Sequence, residues 1–169
     1  AKCRPMAMMA LTTSPALFGR RVLPSLTCRG FAAPVGTIYK LGKTLYLSMT
    51  NECNARRLID TRGPGFKVSP ESGFKRLPDG YEPDAKTLAD LVNIRVKSEN
   101  IGENPTIAFA GYGEPLLRRK VLTETVARIR DTYPQSSVRV VTNGLVGRSI
   151  VQHLIDIKIN KVSVALLAP

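Results

Sequence analysis

The chain is poor in cysteine, histidine and aromatic residues, and it has no acidic residue before Glu52. Its three cysteines, Cys3, Cys28 and Cys53, are too few for a disulfide framework, which argues for a reducing compartment. No apolar run approaches the ~20 residues that a membrane-spanning helix needs, so a soluble chain without a membrane partner is expected. Aromatics do not interleave with the basic residues, which weakens a nucleic-acid reading. What remains is a chain of 169 residues, 43% hydrophobic and 22% charged, long enough to bury a real core. Its net charge is +12, and 5 of those charges fall within the first 34 positions. The other +7 is compatible with contact to a polyanion such as RNA, although a solvated basic surface is the commoner explanation.

The acid-free segment is set apart from the fold. Residues 1–34 hold Lys2, Arg4, Arg20, Arg21 and Arg29 among Ser, Thr and Ala, with Met6, Met8, Met9, Leu11, Leu17 and Phe18 in an amphipathic mixture. This composition resembles an organelle transit peptide, the alternative being a disordered basic tail. Arg29-Gly30-Phe31 before Ala32 and Ala33 resembles a mitochondrial presequence cleavage site, so the mitochondrion is expected ahead of the plastid. Arg20 and Arg21 interrupt the apolar stretch that a secretory signal would need. The expected organisation is therefore a leader over 1–34 and a core domain over 35–169.

From Gly36 onward strand and helix alternate. Thr44 to Met49 has the content of a first strand. Thr50 to Pro83 is irregular, with four prolines and four glycines, and reads as a functional loop or an insertion. Asp84 can cap a helix whose Ala85, Leu88, Ala89, Val92 and Val96 share one face, with Asn100 and Gly102 ending it. A second strand begins near Thr106. A second helix runs over about Arg118 to Thr132 with Leu122, Val126 and Ile129 inward. Val138 to Thr142 is a third strand that ends in the turn Asn143-Gly144. A third helix places Ile150, Val151, Leu154 and Ile155 on one face, and Lys161 to Leu167 is a fourth strand. Alternation of this kind predicts an α/β fold with right-handed crossovers and a parallel sheet covered by helices. A last apolar strand without a covering helix predicts a domain truncated after about the fourth strand.

The stretch Thr106 to Leu117 carries the chemistry. Ile107 to Ala110 form a short apolar run after the breaker Pro105, and it empties into Gly111-Tyr112-Gly113-Glu114-Pro115. Gly111 and Gly113 remove side chains where something must come close, and ligands of parallel sheets sit at the carboxyl ends of strands. Glu114 would present acceptor oxygens there, suited to an ammonium group, while Pro115 sets the chain direction. The bland reading of the same residues is a strand-to-helix turn whose glutamate starts a helix and favours its positive end.

Three motifs together resemble the radical SAM superfamily. Leu45-Tyr46-Leu47-Ser48-Met49-Thr50-Asn51-Glu52-Cys53-Asn54 resembles its first strand leading into a C-x3-C-x2-C loop. Gly111-Tyr112-Gly113-Glu114-Pro115 resembles its motif at the end of strand 2, and Thr142-Asn143-Gly144 the turn after strand 3. The resemblance spans about residues 38 to 169 and rests on the order of the motifs. It implies a partial (βα)6 TIM-like barrel and two cofactors, S-adenosyl-L-methionine and a 4Fe-4S cluster. It also implies reductive cleavage of that cofactor to a 5′-deoxyadenosyl radical, with an electron donor as partner. By the same resemblance Gly111, Gly113 and Glu114 receive the amino group of S-adenosylmethionine, Asn143 lies near its ribose or carboxylate, and Pro115 and Thr142 complete the site. Cys53 would ligate iron.

Two family cysteines are replaced. Counting from Cys53, their places are taken by Arg57 and Asp60. Arginine has no lone pair to donate, whereas Asp60 is a harder oxygen donor, so Cys53 and Asp60 together still fall one short of three protein ligands. His153 sits on the third helix and reads as a solvated helix residue. Arg62-Gly63-Pro64-Gly65-Phe66 has the content of an anion-binding turn, or of a simple one. The sequence therefore leaves two functions standing: a radical SAM enzyme of unknown substrate, and a cluster-free, catalytically inactive descendant that binds S-adenosylmethionine, another small ligand or a partner.

Overall fold

Leu41-Gly42-Lys43-Thr44 folds the start of the domain back on itself. In the computed structural model, which describes residues 34–55 and 72–165, strand β1 (Ile38–Leu41) pairs antiparallel with β2 (Thr44–Leu47). Gly42 takes φ +59° at the first position of this two-residue loop, the place where a II′ hairpin requires glycine. The sequence reading begins its strands at Thr44 and so misses β1; the glycine-first two-residue link is the signal it passes over. All described residues belong to one compact unit, Ala32–Pro169. Residues 1–33 of the leader, including Cys3 and Cys28, lie outside the described residues, as do Arg57, Asp60 and the segment from Arg62 to Phe66.

Helix α1 (Ala85–Ser98) forms as its residues dictate. The Asp84 carboxylate accepts the Thr87 amide at 2.7 Å, and Ala85, Leu88, Ala89, Leu91, Val92 and Val96 are buried. At its other end Asn100 takes φ +49°, and the Ile101 amide bonds back to the Val96 carbonyl at 3.0 Å. That is the left-handed helix stop for which asparagine substitutes for glycine. Then follow β3 (Thr106–Phe109), a 3-10 turn (Pro115–Arg118), α2 (Arg119–Thr132), β4 (Ser137–Thr142), α3 (Ser149–Asp156) and β5 (Lys161–Val164).

The five strands lie in chain order, β1-β2-β3-β4-β5, and every pair after the hairpin is parallel. Right-handed crossovers between neighbours taken in order put the helices on one face of the sheet. The core is built there. Leu45 and Leu47 of β2, Ile107 and Phe109 of β3, and Val138 and Val140 of β4 pack with Leu88 and Val92 of α1, Leu122, Val126 and Ile129 of α2, and Ile150 and Leu154 of α3. The opposite face carries the row Tyr46, Ala108 and Arg139.

The α/β reading holds, and the sheet is parallel from β2 onward while β1 pairs antiparallel; three details do not hold. Strand β2 ends at Leu47, and β5 at Val164 rather than Leu167, residues 166–169 being outside those described. Helix α3 buries Ile150 and Leu154 but leaves Val151 59% and Ile155 61% exposed. A stripe of four apolar positions promises a wider contact than one neighbouring layer provides, and α3 stands beside the last strand of the sheet.

Asp84→Ala should cost about 1 kcal/mol in urea unfolding at neutral pH, the ordinary price of a lost helix cap. The Thr87 amide holds the Asp84 carboxyl below its ordinary 3.8. A depressed folded value gives stability that is complete above the unfolded value and lost as pH falls through the folded one. The gap between wild type and Asp84→Ala should therefore close on acidification below pH 3.8.

Candidate functional site at the carboxyl ends of the strands

Three loops leave the parallel strands at one edge of the sheet, and they are bonded to one another. The loop after β3 runs against the loop after β2: the Ala110 amide donates to Leu47 O at 3.0 Å, the Gly113 amide to Thr50 O at 3.1 Å and the Glu114 amide to Glu52 O at 2.8 Å. This closeness explains both glycines. A Cβ on Gly113 would press on Glu52 O and stand 2.6 Å from Thr50 O, and one on Gly111 would stand 2.6 Å from Ser48 Oγ. What comes close to the glycines is the neighbouring loop of the chain itself.

Glu114 turns inward. It is 2% exposed, with Oε1 accepting the Leu116 amide at 3.0 Å and Oε2 accepting the Asn143 amide at 2.7 Å. One oxygen thus caps the 3-10 turn that Pro115 begins, and the other reaches the turn after β4. Charge-assisted bonds of this kind compensate part of the cost of burying a carboxylate. The helix-starting role that the sequence allowed for Glu114 is present, and a second, cross-strand role accompanies it.

The third loop is anchored to the first. Asn143 Oδ1 accepts the Leu145 amide at 2.9 Å, its Nδ2 donates to Asn54 Oδ1 at 2.8 Å, and the same Nδ2 lies 3.6 Å from Cys53 Sγ. Asn54 returns a bond to Leu145 O at 3.1 Å, while Thr142 Oγ1 accepts the Gly144 amide at 3.1 Å. Cys53, Gly111, Gly113, Glu114, Pro115, Thr142 and Asn143 are therefore gathered at one edge from three separate strands. His153 belongs elsewhere, with Nε2 at 3.0 Å from Thr123 Oγ1 between α3 and α2.

Residues that hold this edge from behind escape the sequence reading. Asn51 pairs with the backbone of Leu77 as another strand would, giving Nδ2 to its carbonyl at 2.8 Å and taking its amide at 3.1 Å. Arg118 Nη1 donates to Met49 O at 2.8 Å and Pro83 O at 2.7 Å, and its Nε stands 3.3 Å from Glu82 Oε2. Glu82 in turn accepts from Thr50 Oγ1 at 2.6 Å. These partners are 26 to 69 residues apart in the chain, so no local spacing announces them. An open cleft of about 380 Å³ borders the same loop, with Thr50, Glu52, Arg76 and Tyr81 among its walls.

The donors do not fit an iron-sulfur cluster held by three thiolates. Cys53 contributes one sulfur, Arg57 has no lone pair, and no group of three or more His, Cys, Asp or Glu side chains suited to a metal ion occurs among the described residues. Comparison with family models, curated proteins and solved structures finds no match to this chain.

Gly113→Ala should destabilise the domain by about 2 kcal/mol in chemical unfolding, because backbone carbonyls rather than flexible side chains meet the new methyl group. Gly147→Ala, where a Cβ meets nothing within 4 Å, is the control and should stay within about 0.5 kcal/mol of wild type. Glu114→Gln should cost about 1–3 kcal/mol, since its amide turns a donor toward a backbone N–H.

Proposed function

We propose that the edge formed by the loops after β2, β3 and β4 binds S-adenosylmethionine in a radical-SAM-like domain whose sheet is one arc of a partial (βα)6 barrel, and that it does so without a cluster. The observation that carries this reading is the Glu114 carboxylate, which joins the Gly111–Glu114 loop to Asn143 and so presents the residues of two motifs as one surface. Parallel strands in chain order, with motif residues at their carboxyl ends, support it further.

In this reading the backbone at Gly111 and Gly113 receives the ligand's amino group. Glu114, buried behind the loop, contributes negative charge that favours an ammonium without leaving its two amide partners. Asn143 faces the ribose or carboxylate from the β4 side. Its side chain is held by Asn54 and Leu145, so little rotamer entropy remains to be lost on binding. No redox step is assigned to these residues.

Radical cleavage of S-adenosylmethionine is the second reading, favoured by Cys53 standing beside Asn143. It requires thiolate donors beyond this loop. Calorimetric titration of the full chain with S-adenosylmethionine under anaerobic conditions should show saturable binding, and iron and sulfide after reconstitution should stay well below one cluster per chain. About four irons per chain, lost in Cys53→Ala, would establish the second reading instead. Absence of S-adenosylmethionine binding in both loaded and unloaded protein would overturn both.

A further inference from the structure

The sheet face turned away from the helices holds an unusual arginine. Arg139, in the middle of β4, lies in register with Ala108, which lies in register with Tyr46. Its guanidinium nevertheless reaches Tyr46: Cζ stands 5.5 Å from the ring centroid and Nη2 donates to the hydroxyl at 2.6 Å. The side chain therefore lies across β3, and it can do so because the residue between is alanine.

This cation is poorly compensated. Of its five N–H donors, one meets the Tyr46 hydroxyl oxygen, and Nε is buried with no acceptor among the described residues. Nη1 has no partner among the described residues. No ion pair there includes Arg139, and none of the five strands contains an acidic residue. The next residue in the row, Lys161 of β5, is a second, exposed cation in register with Arg139. On the other side, the stacked pairs Tyr39–Tyr46 and Phe74–Tyr112, joined edge-on through Tyr39 and Phe74, form an uncharged wall. A guanidinium in partly desolvated surroundings attracts an anion more strongly than one in water, and its planar fork matches carboxylate and phosphate oxygens.

We infer that Arg139, with Lys161 beside it, is a binding site for the carboxylate or phosphate group of a small organic ligand lying on the helix-free face of the sheet. The site adjoins the loop edge through Tyr112, but Arg139 and Lys161 take no part in the binding proposed for those loops.

The test uses phenyl phosphate and benzoate with the full chain, followed by the Arg139 Nε–H signal and the backbone amides in NMR titrations. One of the two should give saturable shifts at Arg139, Tyr46 and Lys161 with a dissociation constant of about 1 mM or tighter, and the stronger of the two identifies the head group. Arg139→Gln should weaken binding about tenfold or more, and Lys161→Gln, an exposed position that leaves the fold intact, a few-fold. If Arg139→Gln does not fold, the wild-type Nε–H shift together with the Lys161→Gln loss decides. No saturable shift with either anion overturns the inference, as does undiminished binding in folded Arg139→Gln or in Lys161→Gln.

Discussion

The Glu114 carboxylate is the interaction on which the arrangement of this sheet edge depends. A single side chain caps the 3-10 turn after β3 and fixes the turn after β4, and the backbone amides of Gly113 and Glu114 are already bonded to the loop after β2. Three loops are thereby held through one buried charge. The cost of burying a carboxylate falls only if both oxygens keep their amide partners, so the loops are constrained to move together or hardly at all.

Glycine serves this constraint more than it serves flexibility. Neither Gly111 nor Gly113 has a positive φ; both are needed because a methyl group there would strike the Ser48–Glu52 segment. The same economy appears at Ala108, whose small side chain lets Arg139 lie across the opposite face. On one face of β3 the core requires Ile107 and Phe109, on the other a single methyl group decides how far an arginine can reach.

Much of the fold was legible in local spacing. The inward face of α1, its Asp84 cap and its Asn100 stop follow from periods and caps that operate within a few residues. Gly111, Gly113, Glu114 and Pro115 could also be named, because ligands of parallel sheets sit at strand ends, whereas Cys53, Thr142 and Asn143 were named only through the family resemblance. What could not be read was long-range. Arg118 bonding to Met49 and Asn51 imitating a strand for Leu77 depend on tertiary placement, and the buried orientation of Glu114 depends on where the Asn143 amide comes to lie. Hairpin strand β1 was missed for another reason: four residues after a stretch of unusual composition carry too little pattern to stand out, although the Gly42-Lys43 link marks them. Exposure of Val151 and Ile155 shows the limit of periodicity, which tells which residues share a face but not whether anything lies against it.

The hairpin also gives the sheet a direction. By folding antiparallel onto β2, strand β1 occupies the hydrogen-bonding edge where a parallel neighbour would otherwise add. Among the described residues the other edge, β5, has no such partner, and Val162 and Val164 beside it are 43% and 53% exposed on the side where the core continues from Val140. Both β1 and β5 are end strands of the sheet among the described residues, and the core-side valines left open are those of β5.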